Sequence, residues 1–151
     1  MDKVDKKIIR LLMQDSKITN SKIAKLIGKS ESATLERVRR LEKTGIIEGY
    51  SIYVSPKQVE RGLELFITMT LKNTDYMHQF ELAIQQMDEV LTFAQILGRS
   101  DFLAHVAVKN AEELSNFVNQ KLIPLGYIER IESMTVLNML KRNFPPLPTT
   151  D

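Results

Sequence analysis

The chain has 151 residues, 43% of them hydrophobic and 26% charged, which suits one compact domain or two small ones and excludes a disordered chain. Its apolar runs are only a few residues long, too short to span a bilayer, and without cysteine there is no disulfide framework or thiolate chemistry, so a cytoplasmic location is expected. The net charge of +2 conceals an asymmetry: residues 1–50 carry 12 Lys/Arg against 7 Asp/Glu, a net +5, whereas residues 51–151 carry 9 against 12, a net −3. A basic module suited to a polyanion is joined to something with another task.

The first seventeen residues place charges on both sides of their apolar positions and read as an amphipathic helix rather than a signal peptide. Val4, Ile8, Leu11 and Leu12 fall at i, i+4, i+7 and i+8, one apolar stripe of helical period, with Lys3, Lys6, Lys7 and Arg10 off it. The polar residues Asp15 to Asn20 interrupt the pattern. A second helix is predicted over Ser21 to Ile27, capped by Asn20 and ended by Gly28. Ser30 caps a third helix from Glu31 to about Thr44, with Thr34, Val38 and Leu41 inward and Gly45 as the stop. Two short helices separated by Gly28-Lys29-Ser30 have helix-turn-helix spacing. Ile46 to Val54, rich in β-branched and aromatic residues, reads as a strand or wing. Pro56 to Gly62 reads as a linker with a helical turn.

Beyond the linker the period changes to two. Leu63 to Leu71 alternates, with Leu63, Leu65, Ile67, Met69 and Leu71 on one face. A helix is predicted over Asp75 to Met87 with Met77, Phe80, Ile84 and Met87 inward. Strands follow over Val90 to Leu97 and Phe102 to Val108, joined by a tight turn Gly98-Arg99-Ser100-Asp101. Asn110 and Glu113 form a capping box for a helix whose core face is Leu114, Phe117, Val118 and Leu122. Pro124 and Gly126 close it, and Ile128 to Leu140 is the last strand. The order β-α-β-β-α-β is the ferredoxin-like split βαβ, so the fold class is α+β, a winged helix-turn-helix followed by a ferredoxin-like domain. The expected division is a basic helix-turn-helix domain at 1–50, a linker at 51–62, an α+β domain at 63–142, and an extended tail at 143–151 containing Phe144-Pro145-Pro146-Leu147-Pro148.

Helices cover one face of such a sheet. Yet strands two and three are apolar on both faces, for example Leu91, Phe93 and Leu97 opposed to Val90, Ala94 and Ile96. One helical layer cannot bury both, which predicts that a second subunit covers the other face.

With Thr34, Val38 and Leu41 inward, Ser32, Ala33, Glu36 and Arg40 point the opposite way, flanked by Arg37 and Arg39. Short polar residues near the N-terminus let the helix enter a major groove, where Ser, Glu and Arg meet base edges, while flanking arginines clamp phosphates; Lys29 and Ser30 at the turn complete the candidate DNA-binding residues. Neither Arg37 nor Arg40 lies on the inward stripe, so replacing them is expected to spare the fold. The competing reading is a solvated helix with a Glu36–Arg40 pair. The preceding helix, the glycine turn and the local charge favour DNA.

These residues carry a resemblance to the Lrp/AsnC, or feast/famine, family of transcriptional regulators. The matching stretches are Asp5 to Leu12 (DKKIIRLL), Ile23 to Ile27, Leu35 to Tyr50 (LERVRRLEKTGIIEGY) and Gly98 to Phe102 (GRSDF), in the family's order and spacing to about Leu140. The resemblance implies a homodimer as the smallest unit, often built into tetramers or octamers. It also implies an amino acid or related effector, bound where sensing domains meet. Arg99 and Ser100 depart from the acidic-aromatic pair common in that turn, His105 stands where an aliphatic residue is usual, and the proline-rich tail is extra.

The candidate effector-binding residues are Gly98, Arg99, Ser100, Asp101 and His105. Backbone N–H groups at a glycine turn suit a carboxylate, Asp101 an α-ammonium, and Arg99 reaches a second acidic group on the ligand. Alternation along the strand puts Asp101, Leu103, His105 and Ala107 on one face, so Asp101 and His105 either frame a ligand or make interface hydrogen bonds. A plain β-turn is the alternative for the loop. Two histidines and no cysteine argue against a metal site, no glycine spacing matches a phosphate loop, and no cofactor is expected. The seven methionines read as packing. Non-enzymatic effector-responsive regulation of transcription through double-stranded DNA is the expected function, with no membrane partner. The alternatives are a siroheme or heme decarboxylase of related fold and an architectural DNA binder without an effector.

Overall fold

A computed structural model describes residues 1–140, which divide into two compact units, Met1–Tyr53 and Val54–Leu140. The first is helical: α1 Lys3–Gln14, α2 Asn20–Ile27 and α3 Glu31–Lys43. Asp2 starts α1 through a reciprocal capping box, its carboxylate accepting from the Asp5 N–H while that of Asp5 accepts from its own. Ile8, Ile23, Val38 and Leu41 form the core, with Val4, Leu11 and Leu12 packed against it, so the predicted stripe faces inward. Burying each such aliphatic side chain stabilises by about 1.5–3 kcal/mol.

Two local expectations need correction here. Thr19, not Asn20, caps α2, its hydroxyl accepting from the Lys22 N–H at 3.3 Å. Asn20 becomes the first helical residue. Ile46 to Val54 forms no strand, and Ile52 and Tyr53 are 77% and 74% exposed. The described residues of this unit are helices and connections, with no sheet edge to hydrogen-bond to, so β-propensity has nothing to act on.

The second unit is a four-stranded antiparallel sheet in the order β2-β3-β1-β4, built from β1 Leu63–Leu71, β2 Val90–Gln95, β3 Phe102–Val108 and β4 Ile128–Thr135. With α4 Met77–Gln85 and α5 Ala111–Asn116 in their predicted places, this is the ferredoxin-like order. Leu65, Ile67, Met69 and Leu71 of β1 and Phe102, Ala104, Val106 and Val108 of β3 pack with Phe80, Ile84, Phe117 and Leu122 in one core. After α5 the chain continues as a π-helical stretch, Phe117–Leu122. Residues five apart diverge on an α-helix; the wider turn brings Phe117 and Leu122 onto the same inward face. Asn110 caps α5 through Glu113 N–H, but the Glu113 carboxylate reaches back to Lys109 N–H rather than completing the box.

Three predicted edges shift. A register break between Val90 and Thr92 changes the phase of β2, so Val90 and Phe93 both pack on the helix side instead of facing apart. The strand ends at Gln95, and Ile96 to Asp101 is a longer connection closed by Ile96 N–H donating to the Asp101 carbonyl at 2.8 Å. Among the glycines, positive φ falls on Gly28, Gly45 and Gly126 and not on Gly98, so this connection is no glycine-driven tight turn. β4 ends at Thr135, opposite Leu65, with one further hydrogen bond from Val136 N–H to the Glu64 carbonyl at 2.8 Å near the start of β1 at Leu63; Leu137 and Leu140 are exposed. The proline-rich segment at 144–148 lies outside the described residues.

Candidate functional site

The helix-turn-helix is held by local chemistry. Gly28 takes φ +68°, a left-handed conformation that costs a side-chain-bearing residue more, and it turns the chain out of α2. Ser30 then caps α3, its hydroxyl accepting from Ala33 N–H at 3.3 Å and lying 3.2 Å from that of Ser32. Thr34, Val38 and Leu41 are buried, leaving Lys29, Ser30, Ser32, Glu36, Arg39 and Arg40 exposed and Ala33 and Arg37 half-buried. All eight predicted DNA-contacting residues are thus brought onto one module.

Two of them have a partner that the residue pattern did not reveal. Asp5 is 1% exposed, and its carboxylate accepts from Arg37 Nη1 at 2.9 Å, from Arg40 Nη2 at 2.8 Å, and from Asp2 N–H at 3.0 Å. Arg37 Nη1 also donates to Asp2 at 2.6 Å. Arg40 therefore bonds to Asp5 and not to Glu36. The expectation that losing these arginines spares the fold is overturned, because they are the counter-charges of a buried carboxylate. Hydrogen bonding from Asp5 N–H, then from Arg37, holds the Asp2 carboxyl down to about 2, and the Arg37 guanidinium is shifted up by the same carboxylates. The sequence signals only that Asp5 is drawn towards the core, since it sits three and seven residues before Ile8 and Leu12 on the flank of the apolar stripe; it does not name the partners.

In the second unit, Gly98, Arg99 and Ser100 lie in the β2–β3 connection, and Asp101 ties that connection to β1. Its N–H donates to the Met69 carbonyl at 3.0 Å and its Oδ2 accepts from Leu71 N–H at 2.7 Å. His105 is engaged elsewhere, its Nε2 3.0 Å from Glu64 Oε2 and its ring stacked on Phe66 at 4.8 Å. Asp101 precedes β3 rather than alternating within it, and Asp101 and His105 each have a separate protein partner. A residue not singled out from the sequence joins the connection: Arg130 of β4 donates from Nη2 to the Arg99 carbonyl at 2.8 Å and to Thr70 Oγ1 at 3.4 Å. The face away from the helices carries Phe66, Thr92, Ala94, Leu103, His105 and Met134, with Ala94 and Met134 exposed.

Comparison with known proteins decides what this pairing of modules is. Residues 1–48 match the model of a winged helix-turn-helix DNA-binding domain, and residues 64–146 match that of the Lrp/AsnC ligand binding domain. The chain belongs to the Lrp/AsnC family of transcriptional regulators. It is 28% identical over 145 residues to the leucine-responsive regulatory protein of Escherichia coli K12, covering 95% of this chain and 88% of that one. Among solved structures it resembles a transcriptional regulator of Neisseria meningitidis in complex with L-Met, with a TM-score of 0.93, 29% identity and 97% of each chain covered. It also resembles E. coli AsnC, with a TM-score of 0.90, 25% identity, and 96% and 97% of the two chains covered. As an Lrp/AsnC regulator it combines a helix-turn-helix with a ligand-binding domain, and no helix among the described residues is long and apolar enough to cross a membrane.

Proposed function

We propose that this protein binds specific sites in double-stranded DNA through α3 and that an amino acid, bound by the second unit, alters its assembly or its DNA affinity. The observation that carries the reading is the exposed polar face of α3, opposite the buried Thr34, Val38 and Leu41, in a chain that also has the Lrp/AsnC ligand-binding domain. Ser32, Ala33 and Glu36 meet base edges. Lys29, Ser30, Arg39 and Arg40 meet phosphates, and Arg37 flanks them while clamping α1.

The effector contacts Gly98, Arg99, Ser100 and Asp101. Asp101 faces the α-ammonium and backbone N–H groups of the connection face the carboxylate; His105 lies farther along the same sheet face. The regulator of Neisseria meningitidis solved with L-Met supports an amino acid as the class of ligand. Apolar residues on the helix-free sheet face support a homodimer, with further assembly to tetramers or octamers, working in the cytoplasm. A thermal-shift screen of the twenty amino acids tests the sensing half. A specific effector raises the melting temperature in a concentration-dependent manner and changes binding to the protein's own promoter. A screen with no shift at saturating concentrations removes the effector from the account.

A further inference from the structure

We infer that the effector carries an acidic side chain, and that Arg130 together with Arg99 selects it; the inference rests on the effector reading above. Arg130 stands opposite Thr70 in the β1–β4 ladder, on the sheet face away from the helices. Its Nη2 is tied to the Arg99 carbonyl at 2.8 Å and to Thr70 Oγ1 at 3.4 Å. The neighbouring Leu71 donates its N–H to Asp101. One corner of the sheet thus gathers the Arg130 guanidinium, the Asp101 carboxylate and the backbone of Arg99, whose exposed side chain leaves from the same connection.

The charges carried by Arg99, Asp101 and Arg130 are the reverse of an acidic amino acid's: aspartate or glutamate offers two carboxylates and one ammonium. A neutral amino acid offers one carboxylate and so bridges only one of the two arginines, both of which are exposed to solvent. A guanidinium carries five N–H donors in a fixed fork, and the tether occupies one nitrogen of Arg130, so the fork is oriented before a carboxylate arrives. Glu132 approaches Arg130 Nε at 3.6 Å, but its side chain is 64% exposed and solvent screens that pair.

Isothermal titration of the full chain with L-aspartate, L-asparagine, L-glutamate and L-glutamine tests this, because each acid differs from its amide essentially in charge. The expected result is that one acid binds roughly tenfold or more tightly than its amide. That ratio falls towards one in Arg130→Gln and in Arg99→Gln. Arg99→Gln keeps the backbone carbonyl that holds Arg130, so it reads the charge without untying the corner. Amides binding as tightly as the acids, or a neutral amino acid binding where the acids do not, overturns the acidic class while the effector reading stands. A ratio retained in both variants removes the two arginines from the site. Binding of no amino acid at all overturns this inference and the effector reading together.

Discussion

Arg40 of α3 donates from Nη2 to both oxygens of Asp5 in α1, at 2.9 and 2.8 Å, so a helix proposed to read DNA is bolted to its support by one of its own cations. Arg37 makes the second bolt. The side chain of Arg40 is nevertheless 55% exposed, so one guanidinium reaches inward to Asp5 and outward to solvent or phosphate.

Replacing Arg37 and Arg40 together with Ala leaves Asp5 buried with no guanidinium beside it. The expected loss is about 3–5 kcal/mol of stability in the N-terminal unit, the usual cost of stranding a buried charge. Urea unfolding monitored by helical circular dichroism measures it. A variant as stable as the parent contradicts the clamp.

Arg39 is the cleaner probe of DNA contact, being exposed and off the clamp. Arg39→Ala should leave the unfolding midpoint unchanged, weaken binding on all sequences alike, and reduce the slope of log affinity against log salt by about 1. An unchanged slope removes Arg39 from the phosphates.

Asp2 gives the clamp a pH signature. Its folded carboxyl lies at about 2, below its ordinary 3.8, so its stabilising contribution is complete above 3.8 and is lost as the pH falls through about 2. A carbon-detected NMR titration of Asp2 should show the low midpoint, and Arg37→Gln should move it upward. No movement would place the cause outside Arg37.

The two faces of β2 separate packing from assembly. Phe93 lies within 5.9 Å of Phe80 and 4.9 Å of Phe102, ring to ring, so Phe93→Asp unfolds the sensing unit at a cost of several kcal/mol. Ala94, on the opposite side, is exposed; Ala94→Asp should keep the circular dichroism spectrum and lower the light-scattering mass to that of one chain. A parent protein that is already monomeric contradicts the dimer.

Thr34, Val38 and Leu41 show why so much of the architecture was legible: one period repeated along one helix specifies its inward face without knowledge of any other element. Ser30 and Gly45 bounded that helix by the same local means. The β-α-β-β-α-β order followed likewise from where the period changed from 3.6 to 2. What escaped was set by contacts distant in sequence or by a missing partner. Asp5 meets residues 32 and 35 positions away. Arg130 meets a carbonyl 31 positions back, and no local pattern encodes either pairing. The register break in β2 depends on β3, and Ile46 to Val54 has strand-forming side chains but no edge to join. The β3 face that carries His105 was readable; the partners that Asp101, in the preceding connection, and His105 take were not.

The central claim is that α3 reads specific DNA under control of a ligand held by the second unit. Its most direct test is the affinity of the full chain for a duplex it selects from a random-sequence pool and for the scrambled version of that duplex, at two salt concentrations, with and without the amino acid found by thermal shift. The account predicts tighter binding to the selected duplex by at least about 1,000-fold, weakening with salt for both duplexes, and an affinity or stoichiometry that changes on adding the amino acid. Equal affinity for the two duplexes, unaltered by any amino acid, would contradict it.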